Sequence, residues 1–120
     1  MFFNKEDKTI EINRGEESSL RLINKKGNFV VGDKLKLSIV EKGNYNNVLF
    51  QKEGEVTEES KYFFFPFECD DTRFVDIISD EEIFWYELKF NDSKPLIAYD
   101  STKGKKFIIY PEAPDKEVKQ

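Results

Sequence analysis

The segment "IEINRGEESSLRLIN", residues 10 to 24, alternates apolar and polar side chains on either side of a single interruption. Successive side chains of a β-strand point to opposite faces, so this alternation predicts two short strands that each bury one face. The interruption is the pair Arg14-Gly15, followed by two glutamates. Glycine adopts a positive φ without a Cβ penalty, so we expect this pair to bend the chain where an edge strand leaves one sheet and enters the next.

The same period of two recurs along most of the chain. "KLKLSIV" at 34–40, "FWYELKF" at 84–90 and "KKFIIY" at 105–110 each place most of their apolar residues on one face. In "NVLFQKEGEV", residues 47–56, Glu53-Gly54 is typical of a turn between two short strands. About seven to nine short strands separated by polar turns favour an all-β fold, an antiparallel β-sandwich.

One stretch departs from this period. Phe74, Ile77 and Ile78 recur at helical spacing behind Asp and Thr residues that can cap a helix, so we expect one short helix or turn near residues 71–79. The chain is short enough for a single core. We therefore predict one sandwich domain over residues 1–111 and a charged, flexible tail over 112–120.

The aromatic segment "KYFFFPF", residues 61–67, is apolar on both faces. It is either a central strand covered on both sides or a strand whose outer face meets another chain. Pro66 cannot donate a ladder hydrogen bond, which places it at a sheet edge or near the strand's end. The expected core consists of Ile10, Ile12, Leu20, Leu22, Leu35, Leu37, Ile39, Phe64, Tyr86, Leu88, Phe90, Phe107 and Ile109.

Composition excludes several classes of function. A net charge of -5 argues against nucleic acid as a partner, because phosphate binding draws on clustered Lys and Arg. The chain has no His, so neither a Ser-His-acid nor a Cys-His arrangement exists, and we expect no enzyme and no cofactor. Cys69 is a single thiol, which forms neither an internal disulfide nor a zinc site. Asp70, Asp71 and Asp76 lack the glycine-bearing pattern of a calcium loop, so no metal is expected.

The N-terminus, residues 1–12, has neither a secretory signal nor an apolar run long enough for a membrane span. We therefore expect the chain to fold in a cytoplasm without a membrane partner.

Exposed aromatic residues are the candidates for contact. Trp85 falls on the outer face of its strand, where it either marks an interface or lies under a loop. Phe63, Phe65 and Phe67 belong either to the core or to a contact surface. Phe2 and Phe3 either pack into a neighbouring subunit or fray. One further candidate is polar: we expect Arg14 to pair with Glu16, Glu17 or an acidic partner.

Six segments of the sequence occur in the same order as similar segments of a known family. They are "TIEINRGEESSLRL", "GDKLKLSI", "VLFQKEGEV", "DDT" at 70–72, "FWYELKF" and "KKFIIYPEA". Together they resemble the N-terminal domain of phage baseplate upper proteins, an immunoglobulin-like module in tailed phages and prophages of Gram-positive bacteria. The chain lacks the Gly-x-Tyr turn that is common before the late strand of that family.

The resemblance implies a non-catalytic structural module of a phage tail or baseplate, present in the virion. Its partners would be other baseplate proteins or copies of itself in a homo-oligomer. A stand-alone virion subunit, an adaptor and a part of a longer polypeptide all fit this expectation. Two alternatives stay open: a carbohydrate- or host-surface-binding sandwich that stacks sugars on Trp85, Tyr62 or Tyr99, and a small acidic inhibitor of a host protein.

Overall fold

A computed structural model describes residues 1–76, 80–91, 94–97 and 105–112, with only the backbone of 94–97. This part of the chain is mostly β-structure, with nine strands and one short 3₁₀ helix. The strands are β1 (Phe2–Phe3), β2 (Ile10–Asn13), β3 (Ser18–Ile23), β4 (Lys34–Glu41), β5 (Asn44–Glu55), β6 (Tyr62–Phe67), β7 (Glu82–Phe90), β8 (Lys94–Ile97) and β9 (Lys105–Tyr110).

The strands form a seven-stranded sheet and a two-stranded sheet. The large sheet has the order β1-β2-β9-β7-β4-β5, with β8 also paired to β7, and the small sheet consists of β3 and β6. The prediction of a purely antiparallel arrangement was wrong at one place, because β2 and β9 pair in parallel. The two strands come from opposite ends of the chain, so no hairpin between them dictates an antiparallel pairing.

The two sheets pack face to face through the inward residues of their strands. On the small sheet, Phe65 and Phe67 are fully buried, and the Phe67 ring stacks on Phe107 of the large sheet at 6.0 Å between centroids. Most predicted core residues are buried as expected, and Phe90 is partly buried against the same cluster. The buried ones are Ile10, Ile12, Leu20, Leu22, Leu35, Leu37, Ile39, Tyr86, Leu88, Phe107 and Ile109.

Phe64 is the exception, since its side chain is 59% exposed. Its neighbour Phe65 takes the inward position, opposite the buried Leu20 of β3. A shift of one residue moves every side chain of a strand to the other face, and a strand that is apolar on both faces gives no periodic signal for choosing between them. The prediction that Phe64 belongs to the core was therefore wrong, and Phe65 and Phe67 take its place.

Gly54 is not a turn residue, as the sequence suggested, but lies inside the unbroken strand β5. It faces the small sheet, where a Cβ at this position would stand 2.8 Å from Cζ of Phe63. A glycine within a strand often marks such a close approach. Gly54 thus makes room for the ring of Phe63 between the sheets.

The expected helix is shorter and begins earlier than predicted. A 3₁₀ helix covers Cys69–Thr72, while residues 77–79 lie outside the described part. The segment that follows packs on the large sheet, where the Phe74 ring stacks on Phe50 at 5.5 Å. Of the predicted tail, only Glu112 is described.

The register of β6 yields a direct test with adjacent residues. We expect Phe65→Ala to lower the free energy of unfolding by about 3–5 kcal/mol, because it leaves a cavity between the sheets. Phe64→Ala should change it by about 0.5 kcal/mol or less, since its ring faces solvent. Urea denaturation of both variants measures the difference, and equal losses would contradict this register.

Candidate interaction surface

The outer face of the small sheet carries the most conspicuous exposed apolar cluster of the described residues. Ile23, Tyr62 and Phe64 are 36%, 42% and 59% exposed. Cross-strand pairing places Ile23 opposite Tyr62 and Arg21 opposite Phe64. The Arg21 guanidinium lies 5.1 Å from the centroid of the Tyr62 ring, within the range of a cation–π contact. We call these four residues the β3–β6 face.

A shallow depression of about 290 Å³ adjoins this face. Tyr62 and Phe64 line one part of it, and the segment that leads into β6 contributes Thr57, Glu58 and Ser60. Aromatic rings thus stand beside hydroxyl and carboxylate groups at one open site. Such a combination suits a ligand with both an apolar and a polar part.

Sequence reasoning missed Phe64 as an exposed ring because it placed Phe64 in the core, whereas Tyr62, named as a possible stacking platform, is exposed. Of the other candidates on this strand, Phe65 and Phe67 are buried in the core and Phe63 is half-buried over Gly54. Tyr99 lies outside the described residues. Pro66, on the same side of β6 as Phe64, is also exposed.

Trp85 lies on the outer face of the large sheet, as expected, but it is not an open contact surface. The ring of Tyr45, at the start of β5, covers it with 5.0 Å between ring centroids and an angle of 34° between planes. Trp85 is half-buried in consequence. Of the two alternatives for Trp85, an interface or a position under a loop, the second is nearer to the structure. The residue that covers Trp85 belongs to the start of a strand, however, and not to a loop.

Phe2 and Phe3 form the short strand β1 at one edge of the large sheet. Phe2 is 58% exposed, whereas Phe3 is half-buried opposite Ile10 and lies 5.9 Å from the ammonium group of Lys8. The structure thus places only Phe2 on the surface, on a different sheet from the β3–β6 face.

Arg14 is part of a network that joins three segments of the chain. Its Nη1 atom lies 2.7 Å from Oε1 of Glu112, and its Nε donates to the carbonyl of Val75 at 2.8 Å. The expected pairing with Glu16 or Glu17 was wrong for Glu16, whose carboxylate instead accepts from the N-terminal amine and from the Asn13 amide. Arg14 is half-buried, which fits a structural role.

Gly15 occupies the centre of the same network. It has a φ of +81°, and its amide donates to Oγ1 of the buried Thr72 at 2.7 Å. Arg73 binds the second carboxylate oxygen of Glu112 at 3.0 Å and Asp70 at 3.2 Å. As predicted, Arg14-Gly15 turns the chain from one sheet into the other, although β2 is an inner strand rather than an edge strand.

Some acidic side chains in the described ranges stabilise the fold. Asp71 pairs with Lys52 and also accepts from the Glu68 amide at the start of the 3₁₀ helix. No group of three His, Cys, Asp or Glu side chains within these ranges is arranged to hold a metal ion. Cys69 is exposed.

Two tyrosines have shifted pKa values. Burial, with a smaller effect of the Asp7 charge, raises the pKa of Tyr86, whose hydroxyl donates to the Lys8 carbonyl. The hydroxyl of Tyr110 donates to Oε1 of Glu11 at 2.7 Å, and this hydrogen bond, more than partial burial, raises the pKa of Tyr110 to about 12. The Tyr110 hydroxyl thus joins β9 to β2, and the Tyr86 hydroxyl joins β7 to the connection between β1 and β2.

Glycine substitutions test the network around Arg14 and Glu112. A Cβ at Gly15 would lie 2.9 Å from Nη2 of Arg73, whereas Gly43, with a φ of +83°, has open space around it. Gly43→Ala should lower the free energy of unfolding by about 1–2 kcal/mol, because a residue with a Cβ is strained in this left-handed backbone conformation. Gly15→Ala should lower the free energy of unfolding by about 0.5–1 kcal/mol more, because the ends of the Arg73 and Glu112 side chains must move and their partly exposed ion pair is weakened. Thermal unfolding measures both, and equal losses would contradict the described packing.

A pH titration tests the contact between Tyr110 and Glu11. Because the folded state raises the pKa of Tyr110, its contribution to stability is complete below about pH 10, the unfolded value, and is lost as the pH rises through about 12. Glu11→Gln should lower the pKa of Tyr110 towards 10, since the charged acceptor is gone. Tyrosinate absorbance reports this change. Tyr110→Phe identifies the transition, and an unchanged titration in Glu11→Gln would contradict the contact.

Within the ranges that the structure describes, no helix has the length and apolar character needed to cross a membrane. A scan against protein-family models and searches of curated proteins and of solved structures gave no significant match.

Proposed function

We propose that this protein is a non-catalytic protein–protein interaction module that docks through the β3–β6 face. The observation that carries the proposal is the exposure of Tyr62 and Phe64 side by side with Ile23 on one sheet face. Aromatic residues and arginine are enriched at interface hot spots, and Arg21 lies directly beside these rings.

The small sheet also offers backbone groups for docking. In the described part of the chain, β3 and β6 pair only with each other, and the bridge between Phe29 and Ser60 lies outside both strands. Among the described residues, each strand thus has a second edge without a partner strand, to which an extended segment of a partner can add. Pro66 limits such pairing on β6 to the part of the strand that precedes it.

More specifically, we propose that the protein is an immunoglobulin-like β-sandwich module of a phage or prophage tail or baseplate. The support for this form is the resemblance of the sequence to the N-terminal domain of baseplate upper proteins, together with an all-β fold of two sheets. The "INRGE" pattern of that resemblance coincides with the bend at Arg14-Gly15 that leads from one sheet to the other.

A second candidate function is carbohydrate binding in the depression beside β6. The specific observation in its favour is the placement of Thr57, Glu58 and Ser60 beside the exposed rings of Tyr62 and Phe64. Sugars stack their apolar faces on aromatic rings and offer hydroxyls to such polar groups. A glycan screen tests this function: binding that Phe64→Ser abolishes would favour it over protein docking.

The third alternative, an acidic inhibitor, has less support. On the outer face of the large sheet, Lys34 pairs across the strands with Glu55, and Lys36 pairs with Glu53. Opposite charges therefore alternate where an inhibitor of that kind would present a contiguous acidic face.

Purified phage particles provide the test of the virion role. We expect the protein to co-purify with tail particles produced by a bacterial host that encodes it. Phe64→Ser should remove it from the particles, because the docking ring is lost. Phe2→Ser should not, since Phe2 is equally exposed on the other sheet. Absence of the wild-type protein from purified particles would contradict the virion role.

A further inference from the structure

The β3–β6 face is bordered by positive charge. Arg21 lies on the face itself, Lys61 directly precedes Tyr62, and Lys25 and Lys26 stand in the turn that follows Ile23. The Asn24 amide donates to the Lys61 carbonyl at 2.9 Å, so this turn and the start of β6 lie together at one end of the small sheet.

None of these four cations forms an ion pair within the described ranges, although Arg21 contacts the Tyr62 ring. Two carboxylates, Glu58 and Glu59, lie at the same end, and Glu59 accepts a hydrogen bond from Asn28. Four positive and two negative groups leave a local excess of positive charge, in a chain whose net charge is -5. Cations therefore outnumber carboxylates at this end of the small sheet, although the chain as a whole is acidic.

This charge distribution disfavours a symmetric contact between two copies through the same face. A twofold interface uses the same surface patch on both copies, so the local excess of positive charge would face the same excess on the second copy. Like charges brought together at an interface are unfavourable and suppress the wrong partner. The same distribution favours a partner that carries carboxylates around an apolar centre.

We propose that the β3–β6 face binds an acidic polypeptide segment that carries aromatic or aliphatic side chains. The inference rests on the proposed function and adds the chemistry of the partner. An apolar side chain of the segment fills the depression beside Tyr62 and Phe64. Within the described ranges, its carboxylates can approach Arg21 and Lys61 without breaking an ion pair, and the edge of β6 that has no partner strand there holds its backbone extended.

The test uses the intact protein and a fluorescently labelled random copolymer of glutamate and tyrosine. A random copolymer of lysine and tyrosine is the control of opposite charge. We expect fluorescence anisotropy to report binding of the acidic copolymer alone, with an affinity that falls as salt screens the charges.

Substitutions locate the binding to this face. Phe64→Ser should weaken it about tenfold or more, the scale of an interface hot spot, while Phe2→Ser leaves it unchanged. Arg21→Glu should weaken it by a similar factor, whereas Lys42→Glu, the same charge reversal in the exposed turn between β4 and β5, should have little effect. Thermal unfolding confirms that each variant is folded.

The remaining outcomes would overturn the inference. Equal binding of both copolymers, no binding, or binding that Phe64→Ser and Arg21→Glu leave intact would each reject an acidic partner at this face.

Binding of vesicles of phosphatidylserine and phosphatidylcholine without binding of the copolymer would assign the face to an anionic membrane instead. A mass that rises with concentration in light scattering and returns to the monomer in Phe64→Ser would assign it to a second copy. Each of these results is separate from co-purification with phage particles, which tests the virion role.

Discussion

The burial of Phe65 and Phe67 between the two sheets is the contact on which the rest of the structure depends. A two-stranded sheet is marginally stable by itself in water, so β3 and β6 persist because their inner face packs on the large sheet. Phe67 stacks on Phe107, and the absence of a side chain at Gly54 allows Phe63 to approach. Alternation along β6 then forces Tyr62 and Phe64 outwards, so the core packing itself creates the exposed aromatic face.

A second constraint fixes how the chain passes between the sheets. Gly15 supplies the left-handed backbone, and Glu112 bridges Arg14 and Arg73 from the end of β9. The charged groups at this corner are paired with one another, as are Lys52 and Asp71 nearby. The cations around the β3–β6 face have no such partners among the described residues. This contrast separates charges that hold the fold together from charges that are available for a partner.

Sequence reasoning located the strands whose two faces differ in polarity, such as β4 and β7, because the period of two is visible there. It failed for β6, where both faces are apolar and only the packing on the other sheet selects Phe65 over Phe64. It also missed the parallel pairing of β2 with β9 and the bond between Arg14 and Glu112, since both join residues far apart in the chain. Trp85 was placed on the correct face, but its cover by Tyr45 depends on how β5 begins.

Hydroxyl-radical footprinting of the unmodified protein tests the central claim most directly, because it measures the exposure of each side chain along one strand. The structure predicts rapid oxidation of Tyr62 and Phe64 and strong protection of Phe65 and Phe67. Protection of Phe64 with oxidation of Phe65 would contradict the register of β6 and, with it, the docking face.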